Sequence, residues 1–160
     1  MSVTDPATGK VRFAIVPAAY VFLLRDCVHG PEVLLQLRQG TGYMDDHWAA
    51  AAAGHIEAGE TAEAAAAREA AEEIGVHDLA LEFVTAMQRT QRGHAIDERV
   101  DFFFVARSWI GDPHIVEPEK SADLRWWPLS DLPSPVVPHE AAVLRGIRDH
   151  SLSPLSHFGF

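Results

Sequence analysis

Between Gly54 and Val76 the chain reads GHIEAGETAEAAAAREAAEEIGV, and this stretch limits what the molecule can be more than any other. From Thr61 to Ile74 it is rich in Ala and Glu and free of Gly and Pro, which predicts a helix. Gly75 stands where a helix commonly ends on a left-handed residue. On that helix Glu69, Glu72 and Glu73 fall at i, i+3 and i+4 and share one face. Like charges so placed destabilise a helix by roughly 0.2–0.5 kcal/mol per pair, and Arg68, four residues before Glu72, offsets only part of that. Ala64, Ala67, Ala71 and Ile74 form a small-residue stripe expected to lie against a sheet. A helix that buries one side and crowds three carboxylates on another calls for a neutralising partner. Hard divalent cations bind through oxygen, and Mg²⁺ in particular takes few carboxylates and shares its shell with substrate phosphates.

The same stretch sets Gly54, Glu60, Arg68, Glu69, Glu72, Glu73 and Gly75 at spacings that resemble the signature of the Nudix hydrolase family, with Ala70 and Val76 in its apolar slots. The resemblance implies an α/β fold, an α/β/α sandwich around a mixed sheet, over about residues 12–148. It also implies metal-assisted attack of water on the diphosphate linkage of a nucleoside diphosphate linked to X. The leading form is conversion of a nucleoside triphosphate to monophosphate plus pyrophosphate. By the same resemblance Glu69, Glu72 and Glu73 hold Mg²⁺, or Mn²⁺ in its place, together with the backbone carbonyl of Ala53. Glu69 and Glu72 also count as catalytic. Glu60 would support the loop or Arg68, Arg68 would orient a metal-binding Glu, and Gly54 and Gly59 would serve turns that need φ > 0.

Two positions depart from a simple carry-over. The general base is expected at Glu117, which follows Trp109-Ile110-Gly111-Asp112-Pro113, with Glu119 as its rival. Before the box the family usually has Leu-Pro-Gly-Gly, whereas this chain has Ala50-Ala51-Ala52-Ala53-Gly54. Members selective for ADP-ribose or dinucleoside polyphosphates tend to carry Pro or Tyr shortly after the box, and Met87 to Ala95 contains neither. A second reading is a catalytically silent nucleotide-binding or regulatory module on the same fold, which the three intact glutamates disfavour. A prenyl diphosphate isomerase would need an active-site cysteine, and the single Cys27 lies far from any matching motif.

At 160 residues and a formal charge of −10 the chain fits one domain, expected over residues 11–150 between a flexible start (1–10) and a tail (151–160). The charge argues against holding long nucleic acid, which needs a basic face. A small nucleotide remains open to it if cations stand between the two sets of negative charge. No signal sequence and no apolar run of membrane length is visible, so a cytoplasmic protein without membrane association is expected. A homodimer is left open.

Strands are expected over Val11–Leu24, with Pro17 at a bend or an edge, then Val33–Arg38, Trp48–Ile56, Leu79–Gln88, Val100–Trp109 and Leu124–Trp127. After a proline-rich linker, a second helix is expected over His139–Asp149. Arg38 and Tyr43 flank the expected pocket as substrate-binding candidates. His47, His55 and His94 are further polar candidates, and Trp48, Trp126 and Trp127 offer at most one base-stacking platform.

Overall fold

The centre of the molecule is a strand buried on both faces. Residues 16–27 (VPAAYVFLLRDC) form β3, and its side chains alternate between two cores. Ala18, Tyr20, Phe22 and Leu24 face one core, while Ala19, Val21 and Leu23 face the other. Only a strand covered on both sides needs such a continuous apolar run. The computed structural model describes residues 2–160.

In chain order the elements are β1 (Ser2–Thr4), β2 (Val11–Phe13), β3 (Val16–Cys27), β4 (Gly30–Arg38), β5 (Trp48–Ala50), β6 (Ala52–His55) and α1 (Ala62–Ile74), then β7 (Leu81–Arg89), β8 (Arg99–Ala106), β9 (Ser121–Pro128), α2 (Pro138–Asp149) and β10 (Leu155–Phe158). The main sheet runs β10-β7-β8-β3-β4-β5, with β6 paired to β3 and β9 to β4. The pairs β3–β8 and β10–β7 are parallel and the rest antiparallel, so the sheet is mixed. Helix α1 packs Ala65, Ala66, Ala70 and Ile74 on one face, and α2 packs Val143 and Leu144 on the other. This is the expected α/β/α sandwich. Among the described residues no helix is long and apolar enough to cross a membrane.

Several expectations are corrected. Within the flexible start, Ser2–Thr4 pairs with Val11–Phe13 as a small hairpin outside the main sheet, while Met1 lies outside the described residues. In the tail, Leu155–Phe158 adds a parallel strand beside β7. Pro17 is at neither a bend nor an edge but near the start of the central strand, where its carbonyl accepts from the Ile56 N–H. The Ala-rich run splits at Ala51, because β5 pairs with β4 and β6 pairs with β3. The buried stripe of α1 is not Ala64, Ala67 and Ala71, which are exposed. The shielded positions are 62, 65, 66, 69, 70, 73 and 74, an i, i+3, i+4, i+7 face that includes Glu69 and Glu73, with Arg68 half-shielded at its margin. With alanine on nearly every side, the helix gives no bulk to mark its buried face.

Candidate active site

Helix α1 begins at Thr61, whose side chain accepts from the Ala64 N–H, and ends at Gly75 in the left-handed region with φ 68°. A Cβ at Gly75 would meet the His114 ring, so this position needs glycine for space as well as for conformation. The segment after β8 is tied to the helix end: His114 N–H donates to Ile74 O and Val116 N–H to Glu73 O. That anchoring places Glu117 beside the helix carboxylates.

Arg68 is the hub of the loop–helix unit. Its Nε and Nη2 donate to the two oxygens of Glu60 at 2.9 and 3.1 Å. Nη2 also donates to the His55 carbonyl at 3.0 Å, and Nη1 reaches Glu69 at 2.6 Å and Glu72 at 3.3 Å. Glu60 in turn accepts from the Glu57 N–H, which closes the loop. Gly54 is corrected here: it lies in β6 without a positive φ, and what it needs is room. A Cβ there would run into the Glu69 carboxylate. Gly59, with φ 83°, does serve a turn.

The three glutamates differ sharply in environment. Glu72 is 56 % exposed, whereas the Glu69 side chain is only 13 % exposed. Glu73 is the most deeply placed. One of its oxygens accepts from Gln36 Nε2 at 3.1 Å and from the Ala53 N–H at 3.3 Å. Burial, with the Glu69 charge beside it, pushes the Glu73 carboxyl up to about 8. Burial also raises Glu69, against the pull of Arg68.

Ala53 is opposite Tyr20 in the β3–β6 pair, and its N–H goes to Glu73. In an antiparallel ladder a residue exchanges both backbone bonds with its partner or neither. The Ala53 carbonyl therefore also points away from β3. This settles the course of the Ala-rich loop.

Glu73, Gln36, Ala53, Glu117 and Lys120 line a cavity of about 200 Å³, which Arg38 also borders. Glu117 pairs with Lys120 at 2.9 Å, and Glu119 does not line the cavity. Arg38 and Ala53 are shared with a second cavity of about 350 Å³ lined also by Tyr43, His55, Arg89, Arg99 and Glu140. The two cavities thus border each other at Arg38 and Ala53. Arg38 is held by Tyr43 O and Thr41 Oγ1, with its guanidinium 5.5 Å from the Tyr43 ring centre.

Among the described residues no three Asp, Glu, His or Cys side chains converge tightly enough to hold a metal ion as they stand. Arg68 draws Glu69 and Glu72 toward itself, and Gln36 and Ala53 fix Glu73. The donor set nevertheless fits a hard divalent cation: two shielded carboxylates, Glu69 and Glu73, the exposed Glu72, and a backbone carbonyl turned away from β3.

Other candidates fall elsewhere. Of the histidines, only His55 lines either cavity, and burial and the neighbouring Arg99 lower its pKa. Trp48 packs edge-on against Trp127, and Trp126 stacks on Trp109. None of the three tryptophans proposed for stacking lines a cavity. Cys27 is exposed at the β3–β4 turn, with its thiol on Glu32. Sequence reasoning missed Gln36, Arg89, Arg99 and Glu140. The available signal was a charge inside an otherwise apolar strand, as in Val100-Asp101-Phe102, where Asp101 is fully buried against Arg89.

Comparison with known proteins agrees with this geometry. The NUDIX domain family model matches residues 15–147. A MutT NUDIX hydrolase of Burkholderia pseudomallei is 26 % identical, over 79 % of this chain and 96 % of that one, with a TM-score of 0.60. The Nudix hydrolase RenU of M. smegmatis is 25 % identical over 94 % of each chain, with a TM-score of 0.66. The NUDIX domain of Shewanella oneidensis NrtR, solved with ADP ribose, shares the fold at 22 % identity and a TM-score of 0.72, over 92 % of this chain and 94 % of that one. No curated protein matches the sequence. With the family model spanning the sandwich and both cavities, the chain belongs to the NUDIX family of hydrolases acting on nucleoside diphosphate derivatives.

Proposed function

We propose that this protein hydrolyses the diphosphate linkage of a nucleoside diphosphate linked to X, and that it converts nucleoside triphosphates to monophosphate and pyrophosphate. The observation that carries this reading is the cavity where Glu73, Ala53 and Glu117 meet beside Glu69, next to a second cavity of about 350 Å³ that shares Arg38 and Ala53. Glu69, Glu72, Glu73 and the Ala53 carbonyl would hold Mg²⁺, which Mn²⁺ can replace. When bound, the cation supplies charge neutralisation for the diphosphate and acidity for water.

The protein's own groups do the rest. Glu117 lines the same cavity and would take a proton from water. Lys120, its ion-pair partner, and Arg38 are cations at that cavity and would orient phosphate oxygens. Arg68 positions Glu69 and Glu72 through the contacts above, and Glu60 holds Arg68.

The test is product analysis of dGTP and dCTP turnover in Mg²⁺. Monophosphate with pyrophosphate supports the reading. Orthophosphate as the sole released anion, or full activity in excess chelator, overturns it.

A further inference from the structure

The larger cavity holds a group of charges that the proposed hydrolysis does not use. Arg89, at the end of β7, is 4 % exposed, and Arg99, at the start of β8, is 12 % exposed. Both turn toward one carboxylate, Asp101, with Arg89 Nε at 2.7 Å from Oδ2 and Arg99 Nε at 3.5 Å from Oδ1. The second contact is too poorly directed to be a hydrogen bond, and Arg99 Nε has no partner among the described residues. Arg99 Nη1 donates to His55 Nε2 at 2.9 Å. Among the described residues, no protein acceptor meets the two terminal nitrogens of Arg89.

Two further carboxylates, Glu140 and Asp97, line the same cavity; each is engaged by a backbone N–H and, among the described residues, neither is ion-paired to Arg89 or Arg99. Glu140 accepts from the Ala50 N–H at 2.7 Å, and Asp97 turns one oxygen back to the His94 N–H. Two buried guanidinium groups therefore share one carboxylate and present spare N–H donors to a cavity of about 350 Å³. A guanidinium stays charged in a protein and has no acceptor capacity, so donors left facing a cavity call for an anionic oxygen group. Its planar fork matches phosphate.

A nucleobase suits the same space less well. Of the aromatic residues that line it, Tyr20 is stacked on Phe103 at 4.5 Å, and Tyr43 carries the Arg38 guanidinium near its ring. No pair of free aromatic faces is available to hold a base.

We propose that this cavity receives a phosphate monoester carried by the substrate away from its scissile diphosphate, bound by Arg89 and Arg99. The preferred substrate is then a nucleoside diphosphate derivative with one more phosphate on the end that enters the cavity. This rests on the pyrophosphohydrolase reading above and narrows its substrate class.

Two pairs of diphosphates differ by a single ribose phosphate: NADPH against NADH, and coenzyme A against dephospho-coenzyme A. In Mg²⁺, at least one pair should show a kcat/KM ratio of tenfold or more in favour of the phosphorylated member. Arg99→Gln should bring that ratio close to one, and Arg99→Lys, which keeps the charge, should retain part of it. Melting curves confirm that the variants are folded. Parity in both pairs, or a preference that survives Arg99→Gln, overturns the inference. Turnover at parity leaves the pyrophosphohydrolase reading standing. If none of the four compounds is turned over, the pyrophosphohydrolase reading stands or falls on the dGTP and dCTP products, and calorimetry of the same pairs in chelator decides the inference. Tighter binding of a phosphorylated member, lost in Arg99→Gln, supports it, and equal or unmeasurable binding overturns it.

Discussion

Gly54 faces the Glu69 carboxylate so closely that a Cβ at this position would run into it. Strand β6 and helix α1 are therefore fitted to each other at the point where the site needs a carboxylate. Fifteen positions separate the two residues in sequence, and the fold brings them side by side.

Gly54→Ala should displace Glu69 and break its contact with Arg68. Overpacking of this kind destabilises by about 1–3 kcal/mol. We expect Mg²⁺-supported turnover to fall by at least tenfold in the protein that still folds, measured beside a melting curve. A variant with parental rate would show that the position of Glu69 does not matter to the reaction.

Arg68→Met removes the hub joining Glu60, Glu69, Glu72 and the His55 carbonyl. The Arg68 side chain is 25 % exposed, so the ion pairs are partly screened, and a loss of about 1–3 kcal/mol is expected rather than the larger figure for a fully buried pair. Urea titration in chelator measures it. Unchanged stability would mean that these contacts are not formed in solution.

Glu140 is fully buried, and that burial pushes its carboxyl up to about 7 despite the Ala50 N–H that it accepts. A carboxyl raised in the folded state binds more protons there than in the unfolded chain. Its contribution to stability is complete below the ordinary value of 4.5 and is lost as pH rises through about 7. The loss is on the order of 3 kcal/mol. Glu140→Gln keeps an acceptor for Ala50 and should lose less stability than the parent between pH 5 and pH 8. Parallel pH dependence in the two proteins would rule out this assignment.

How much of this was legible in the sequence follows from what each signal depends on. Helix α1 was readable to its last residue, because Thr61 and Gly75 are local capping signals. Its buried face was not: where almost every side chain is alanine, which side packs is decided by the sheet, and the packed side carries two glutamates. The strand order escaped because β3–β8 and β10–β7 join residues distant in sequence. The carboxylate end of the site was visible as a motif of fixed spacing. The arginine end was not, since Arg38, Arg89 and Arg99 come from three strands and meet only once the sheet is assembled.

In the proposed reaction the buried carboxylate edge of α1 supports hydrolysis through a divalent cation. Glu73→Gln tests it most directly, because the amide oxygen can still accept from Gln36 and Ala53 while the charge is gone. Steady-state rates on the best nucleotide in Mg²⁺ and melting curves in chelator should be measured side by side. The account predicts a metal-free fold as stable as the parent or more so, since the cost of burying a carboxyl raised to about 8 is removed, with turnover lower by orders of magnitude. Turnover near the parent rate would contradict it.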